Sequence, residues 1–220
     1  MSGRRVDAVV VGGGLAGLAA AVAVAKAGLT TLHLAPKGPA DRCTSALMNP
    51  SVALLQQLDL IAEPGALGQP LTQIRIIDAT DRLIRAPETL FDSKDAGLDA
   101  FGWNFANVAL TAAFEAAGAA LSNLTTVEAP LAAIEVTESK HVLSLADGSS
   151  VETALVVGAD GKKSLVRAAA GISTREHAFA QAALVCDLTL GRPLNGTSVE
   201  FHYDQGPFTL VPAGDRKSVV

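Results

Sequence analysis

Residues 6–11 form a strongly apolar, largely β-branched run, the pattern of a parallel strand buried on both faces. Three glycines follow. Residues 15–27 are rich in alanine and leucine, and Gly28 stands where a helix C-cap favours a left-handed residue. The pattern predicts strand, glycine turn, helix and glycine stop, with residues 30–34 as a second parallel strand.

Residues 36–46 read as loop, and Asn49-Pro50-Ser51 starts a helix through 52–60 with positions 54, 55 and 58 on one face. Two short extended runs, 73–78 and 82–85, flank Ala79-Thr80-Asp81 and predict an antiparallel hairpin. Residues 107–118 return to a helical pattern, with Leu110 and Phe114 four apart. Three extended segments follow at 131–137, 141–145 and 151–157, with Asp147-Gly148 as a tight turn. Residues 164–170 form a short helix ended by Gly171, and 181–190, 198–204, 208–211 and 218–220 read as strands of a second sheet. The fold class is α/β: a Rossmann-like βαβ domain with an inserted β-meander, plus part of a second, mainly antiparallel β domain.

Composition narrows the function. With 220 residues and 49% hydrophobic content, the chain can bury a large core. A net charge of -5 without a basic run argues against a nucleic-acid partner, which would need clustered Lys and Arg to displace counterions. Cys43 and Cys186 are far apart and neither has a CxxC companion, so no zinc site or disulfide framework is indicated and a reducing cytoplasm fits best. His33, His141, His177 and His202 occur singly, and no metal is assigned. The charged start and apolar run look like a signal peptide, but Gly12, Gly13 and Gly14 interrupt the run after one strand length. The chain is therefore expected to be soluble, with a substrate-facing apolar patch as its expected point of contact with a bilayer.

Gly12-Gly13-Gly14-Leu15-Ala16-Gly17 matches G-x-G-x-x-G between a predicted strand and a predicted helix, the context in which the motif is informative. Gly12 permits the tight turn, Gly14 removes a side chain that would block a pyrophosphate, and Gly17 lets the helix pack close to the strand. A dinucleotide is expected there, with NAD and FAD both open on this unit alone. The pattern asks for Asp or Glu at the end of the second strand to accept the ribose hydroxyls, and this chain has Ala35. His33, two residues earlier, reads as a strand residue; a substitute hydrogen bond from it is the alternative.

The stretch Gly158-Ala159-Asp160-Gly161-Lys162-Lys163-Ser164-Leu165-Val166-Arg167 follows an apolar strand and combines an acid, a turn glycine, a capping serine and a basic residue. It resembles the D-G motif of the flavin-dependent aromatic hydroxylases typified by p-hydroxybenzoate hydroxylase. Phe101-Gly102-Trp103-Asn104, residues 107–117, and Phe201-His202-Tyr203 through Gly206-Pro207-Phe208 to Val211-Pro212 extend the likeness toward the ubiquinone-biosynthesis branch. The resemblance implies FAD as cofactor, NAD(P)H as reductant, and monooxygenation of a small phenolic, polyprenylated ring with dioxygen. It also implies a cofactor-binding set of Gly12, Gly14, Leu15, Ala16, Gly17, Ala35, Arg42, Asp160, Gly161 and Arg167, with no catalytic residue assigned.

The implied domains are an FAD-binding domain over 1–70 and 101–175 and a partial substrate-binding β domain over 71–100 and 176–220. Trp103, Phe105, Phe201, Tyr203 and Phe208 are candidates for a substrate pocket. The loop where relatives carry Arg-Thr-x-Ala-Leu reads Cys43-Thr44-Ser45-Ala46-Leu47, with its arginine one place earlier at Arg42. The family's later Gly-Asp motif is absent, and Gly214-Asp215 reads as a hairpin turn, so the chain looks truncated. A non-catalytic relative with weak or no flavin binding is the alternative function, and a homo-oligomer formed through an exposed strand edge at 218–220 is also expected. The expected location is the cytoplasm, at most peripheral to the inner face of a membrane.

Overall fold

The computed structural model describes residues 4–214 and 217–220, divided into two compact units. The first contains residues 1–40, 58–61 and 111–179, and the second residues 41–57, 62–110 and 180–220.

In the first unit a six-stranded sheet runs in the order Leu124–Val127, Thr31–Leu34, Arg4–Val11, Ser150–Gly158, His141–Leu145, Leu131–Val136. The first four strands are parallel and the last two complete an antiparallel meander. The pattern of apolar residues explains the centre of the sheet: Val9, Val10 and Leu34 are fully buried. Burying each such side chain contributes about 1.5–3 kcal/mol. The helix Leu15–Lys26 packs through Gly17, Leu18, Ala21, Val22 and Ala25, the spacing of one helical face. Lys26, in its last turn, favours the helix dipole and pairs with Asp59. Gly148 (φ 83°) closes the hairpin of the meander where the sequence predicts a tight turn.

In the second unit a six-stranded, mainly antiparallel sheet runs Asp187–Thr189, Lys217–Val219, Gly206–Pro212, Thr197–Tyr203, Gln73–Asp78, Thr89–Asp92. Its single parallel pairing joins Gln73–Asp78 to Thr197–Tyr203. A separate antiparallel sheet contains Thr44–Met48, Gly102–Ala106 and Gly68–Leu71. The packing is tight at Gly68, where an added Cβ would lie 2.6 Å from the Phe105 ring.

Several sequence expectations change here. The hairpin partner of Gln73–Asp78 is Thr89–Asp92 rather than 82–85. Leu83 and Ile84 are instead almost wholly exposed, because the Asp78 carboxylate accepts hydrogen bonds from Thr80 N–H, Thr80 Oγ1 and Ala86 N–H and gathers residues 79–86 into a loop. In the helix Asn49–Gln57 the buried positions are Val52 and Leu55, while Leu54 faces out. Of 181–190, three residues form a strand, Asp187–Thr189. The strand Lys217–Val219 is paired on both sides, so the expected open edge at 218–220 is covered and the sheet edges are Asp187–Thr189 and Thr89–Asp92. The turn expected at Gly214-Asp215 lies partly outside the described residues.

The Asp78 loop supplies a test by pH. Hydrogen bonds from the Thr80 side chain, then from the backbone of Ala86 and Thr80, lower the Asp78 carboxyl to about 2. A depressed folded-state pKa contributes stability that is present above the ordinary value of 3.8 and is lost as pH falls through about 2. Amide exchange of Ala86 should therefore stay slow at neutral pH and accelerate in Asp78→Ala. Equal exchange rates in the two proteins would show that the loop holds itself by other means.

Candidate dinucleotide site

Strand register builds the site. Val11 pairs with Leu34 on one side and Gly158 on the other, and Leu34 pairs with Val127, so four parallel strands end on one row. Ligands in open α/β sheets bind beyond that carboxyl edge. The chain continues the row just past the strands: Gly12 N–H donates to Leu34 O at 2.9 Å, Ala35 N–H to Val127 O at 2.9 Å, and Ala159 N–H to Val11 O at 2.7 Å. Two motifs far apart in sequence, the glycine turn and the Asp160 turn, therefore meet edge to edge.

Each glycine has its own steric reason. Gly12 adopts φ 131°, and an added Cβ would lie 2.1 Å from the Ala159 carbonyl oxygen. At Gly17 an added Cβ would lie 1.9 Å from the Gly12 carbonyl oxygen, so helix and turn touch backbone to backbone. Gly14 is different. It is the N-cap of the helix Leu15–Lys26, with φ -81° and ψ 175°, and nothing lies within 4 Å of its missing side chain. The helix start has no capping side chain and no acid in its first turn. Its free N–H groups and positive dipole end face open space, with Leu15 and Ala16 supplying the first helical residues.

That space is a cavity of about 430 Å³ lined by Val11, Gly12, Gly13, Gly14, Pro36 and Asp160, with Pro130, Leu131, Ala159, Gly161, Lys163 and Leu165 completing the wall. The Asp160 carboxylate is fixed in place: Oδ1 accepts from Ser164 Oγ at 2.5 Å, and Oδ2 from the backbone N–H groups of Leu165 and Val166 at 2.7 and 3.2 Å. Burial alone would raise its pKa, but the hydrogen bonds from Ser164 and the backbone together outweigh burial and hold the carboxyl below its ordinary value. It stays ionised and accepts from the first two N–H groups of the helix Leu165–Ala169, whose N-cap, Ser164, accepts from Arg167 N–H. Gly161 takes the left-handed conformation (φ 81°) that turns the chain there. The Arg167 guanidinium donates to the Lys162 carbonyl at 2.7 Å and braces the turn; Arg167 is not among the cavity-lining residues.

The other expected residues sort clearly. Ala35 is half-buried beside the glycine turn, its Cα 3.4 Å from a Cβ added at Gly13. His33 is fully buried, with Nε2 2.8 Å from the Gly12 carbonyl oxygen. A carbonyl only accepts, so Nε2 carries the proton, and burial, opposed by this bond, lowers the imidazole pKa and keeps the ring neutral. His33 thus braces the glycine turn from below instead of offering itself to a ribose. Its Nδ1 has no hydrogen-bond partner among the described residues.

Arg42 lies exposed in the second unit, next to a local network in which Asp41 accepts from Asn107 Nδ2 at 2.7 Å and Cys43 N–H at 2.9 Å. The Asp41 carboxylate, by hydrogen bond and charge, raises the Cys43 thiol and keeps it protonated. In the same unit Phe201 packs with Tyr203 and Phe208, ring centroids 6.2 and 5.9 Å apart, while Phe105 is fully buried. Among the described residues no cluster of His, Cys, Asp and Glu could hold a metal ion. Pro36, Pro130 and Leu131 enter the cavity wall without any sequence signal, since only sheet order brings them there.

A glycine cradle at the carboxyl edge of a parallel sheet, an uncapped helix start and a second motif from an inserted strand define a dinucleotide-binding domain. The model of the FAD binding domain family matches residues 5–217, and the chain belongs to that family. It is 31% identical to ubiquinone hydroxylase UbiL of Rhodospirillum rubrum over 97% of this chain and 51% of the relative. It is 26% identical to 3-demethoxyubiquinol 3-hydroxylase of Escherichia coli over 98% of this chain and 56% of that protein. The chain thus spans about half the length of the curated relatives it matches. Its fold matches the crystal structure of p-nitrophenol 4-monooxygenase PnpA from Pseudomonas putida with a TM-score of 0.82, at 19% identity, covering 98% of this chain and 57% of that one.

Proposed function

We propose that this chain is the FAD-binding part of a flavin-dependent hydroxylase acting on a phenolic, polyprenylated ring of the ubiquinone-precursor type, with NAD(P)H as reductant and dioxygen as co-substrate. The observation that carries the reading is the meeting of Gly12–Gly14 and Asp160-Gly161 around one cavity at the ends of four parallel strands. Similarity to relatives named for ubiquinone chemistry supports the ring class.

FAD, when bound, supplies the redox chemistry. The chain's own groups bind and orient it. The N–H groups at the start of Leu15–Lys26 receive the pyrophosphate oxygens, Gly14 leaves room for them, and Asp160, held by Ser164, keeps the second turn in a fixed shape. Cofactor contacts are assigned to Gly12, Gly14, Leu15, Ala16, Gly17, Ala35, Asp160 and Gly161; Arg167 supports the Asp160 turn through the Lys162 carbonyl, and Arg42 is carried over from the family pattern alone. Residues 1–70 and 101–175 serve the flavin, and residues 71–100 and 176–220 the substrate, with Phe201, Tyr203 and Phe208 on the apolar side of that task. No described helix is long and apolar enough to cross a bilayer.

Titrating the purified chain with FAD while following flavin fluorescence tests this directly. Saturable quenching at micromolar FAD is expected. A folded sample that leaves FAD fluorescence unchanged would favour the non-catalytic reading, to which Ala35 lends its missing ribose acceptor.

A further inference from the structure

The pattern's missing carboxylate has a neighbour. Ala35 directly follows the second strand, and continuing the parallel register that pairs Leu34 with Val127 puts Glu128 beside it, one strand over on the same carboxyl edge. The Ala35 N–H to Val127 O bond of 2.9 Å continues the pairing past the strand ends and fixes that adjacency. Two residues from Glu128, Pro130 lines the cavity, and on the other chain segment Pro36, adjacent to Ala35, lines it as well. Glu128 is exposed and does not itself line the cavity, but it lies on the strand edge between the two segments that carry the lining residues Pro36 and Pro130. Its Oε1 is held 2.5 Å from Lys37 Nζ, leaving Oε2 without a protein partner among the described residues. The Glu128 hydrogen bond and charge raise the Lys37 ammonium, with Glu115 adding to them, so Lys37 keeps its charge at neutral pH.

We propose that Glu128, oriented by Lys37, is the acceptor for the adenosine ribose hydroxyls of the bound dinucleotide and takes over the place left by Ala35. The assignment rests on the dinucleotide reading of the cavity. It makes the site selective for an unmodified ribose: a carboxylate accepts from hydroxyls and repels a phosphate in the same position, while Lys37 is already engaged.

The test is competition against FAD by ADP, 2′,3′-dideoxy-ADP and 2′,5′-ADP, on the wild-type chain and on Glu128→Ala and Glu128→Gln. Removing the ribose hydroxyls from ADP should cost the wild type about tenfold in affinity, the scale of a hydrogen bond to a charged group. Glu128→Ala should lose about the same factor for ADP and nothing further for the dideoxy analogue. Glu128→Gln, which keeps an acceptor oxygen, should recover part of the loss. 2′,5′-ADP should bind the wild type more weakly than ADP. Equal ADP affinity in wild type and Glu128→Ala, with FAD still bound, would overturn the Glu128 assignment alone, as would tighter binding of 2′,5′-ADP, which would make Lys37 a phosphate ligand. Failure of the wild type to bind either FAD or ADP would overturn the dinucleotide reading and this assignment with it.

Discussion

Gly14→Val should weaken FAD binding about 100-fold while leaving the fold nearly unchanged. The backbone at Gly14 (φ -81°, ψ 175°) suits any L-residue, and no protein atom lies within 4 Å of the added Cβ, so the substitution has no internal clash to relieve. A helix N-cap without a side-chain hydrogen bond also has little to lose. The new methyls would project into the space where the pyrophosphate approaches the free N–H groups. Overfilling a close-fitting site costs about 1–3 kcal/mol, and each 1.4 kcal/mol is about tenfold, so an affinity loss near 100-fold is expected. Fluorescence titration beside a urea melt separates the two effects. Wild-type affinity in the variant would show that the dinucleotide does not approach the turn.

Gly17→Ala should do the opposite, damaging the fold before the ligand is considered. Its Cβ would lie 1.9 Å from the Gly12 carbonyl oxygen and 2.8 Å from the carbonyl carbon, both rigid backbone. The same oxygen receives the His33 bond of 2.8 Å, and His33 Nε2 itself lies 3.4 Å from the added atom. Relief requires moving the helix off the sheet, which uncovers Leu18 and Val22, buried on that helix face. A destabilisation of about 3 kcal/mol or more is expected, in the range reserved for core overpacking and broken buried hydrogen bonds. A urea midpoint equal to wild type would mean that helix and turn do not touch backbone to backbone at Gly17.

These two glycines also show what can be read along the chain and what cannot. Gly12, Gly14 and Gly17 announce themselves by spacing because the strand and helix around them are local, and the βαβ start was legible for the same reason. Sheet neighbours are a different matter. That Ser150–Gly158 inserts beside Arg4–Val11 and carries Asp160 to the glycine turn is a long-range pairing that periodicity does not encode. The Gly12-to-Gly17 motif and the Asp160 motif were each visible, and their meeting at one cofactor was implied by the family resemblance alone, not by any periodicity. The 82–85 run failed as a strand because a side chain, Asp78, captured the backbone N–H groups of Thr80 and Ala86 at 3.1 and 2.8 Å and held the segment as loop, while the pairing went to Thr89–Asp92. Thr44–Met48 was masked by its setting: small and polar residues precede it, and its partner Gly102–Ala106 is not its sequence neighbour. His33 was read as a strand residue, and so it is, but nothing in sequence reveals that its ring braces the Gly12 carbonyl.

The pairing of Arg4–Val11 with Ser150–Gly158 also sets an order of events on the ribosome. Arg4–Val11 is made well before Ser150–Gly158, one of its two sheet partners, which follows only after most of the first unit has been synthesised. Until then a run of buried-type valines has an open edge, and the cradle lacks its second wall. Non-local pairing of this kind slows folding and prolongs exposure of unpaired strands. Nucleotide therefore cannot template the early βαβ segment; it can only seal a site completed late, which makes cofactor supply a check on finished domains.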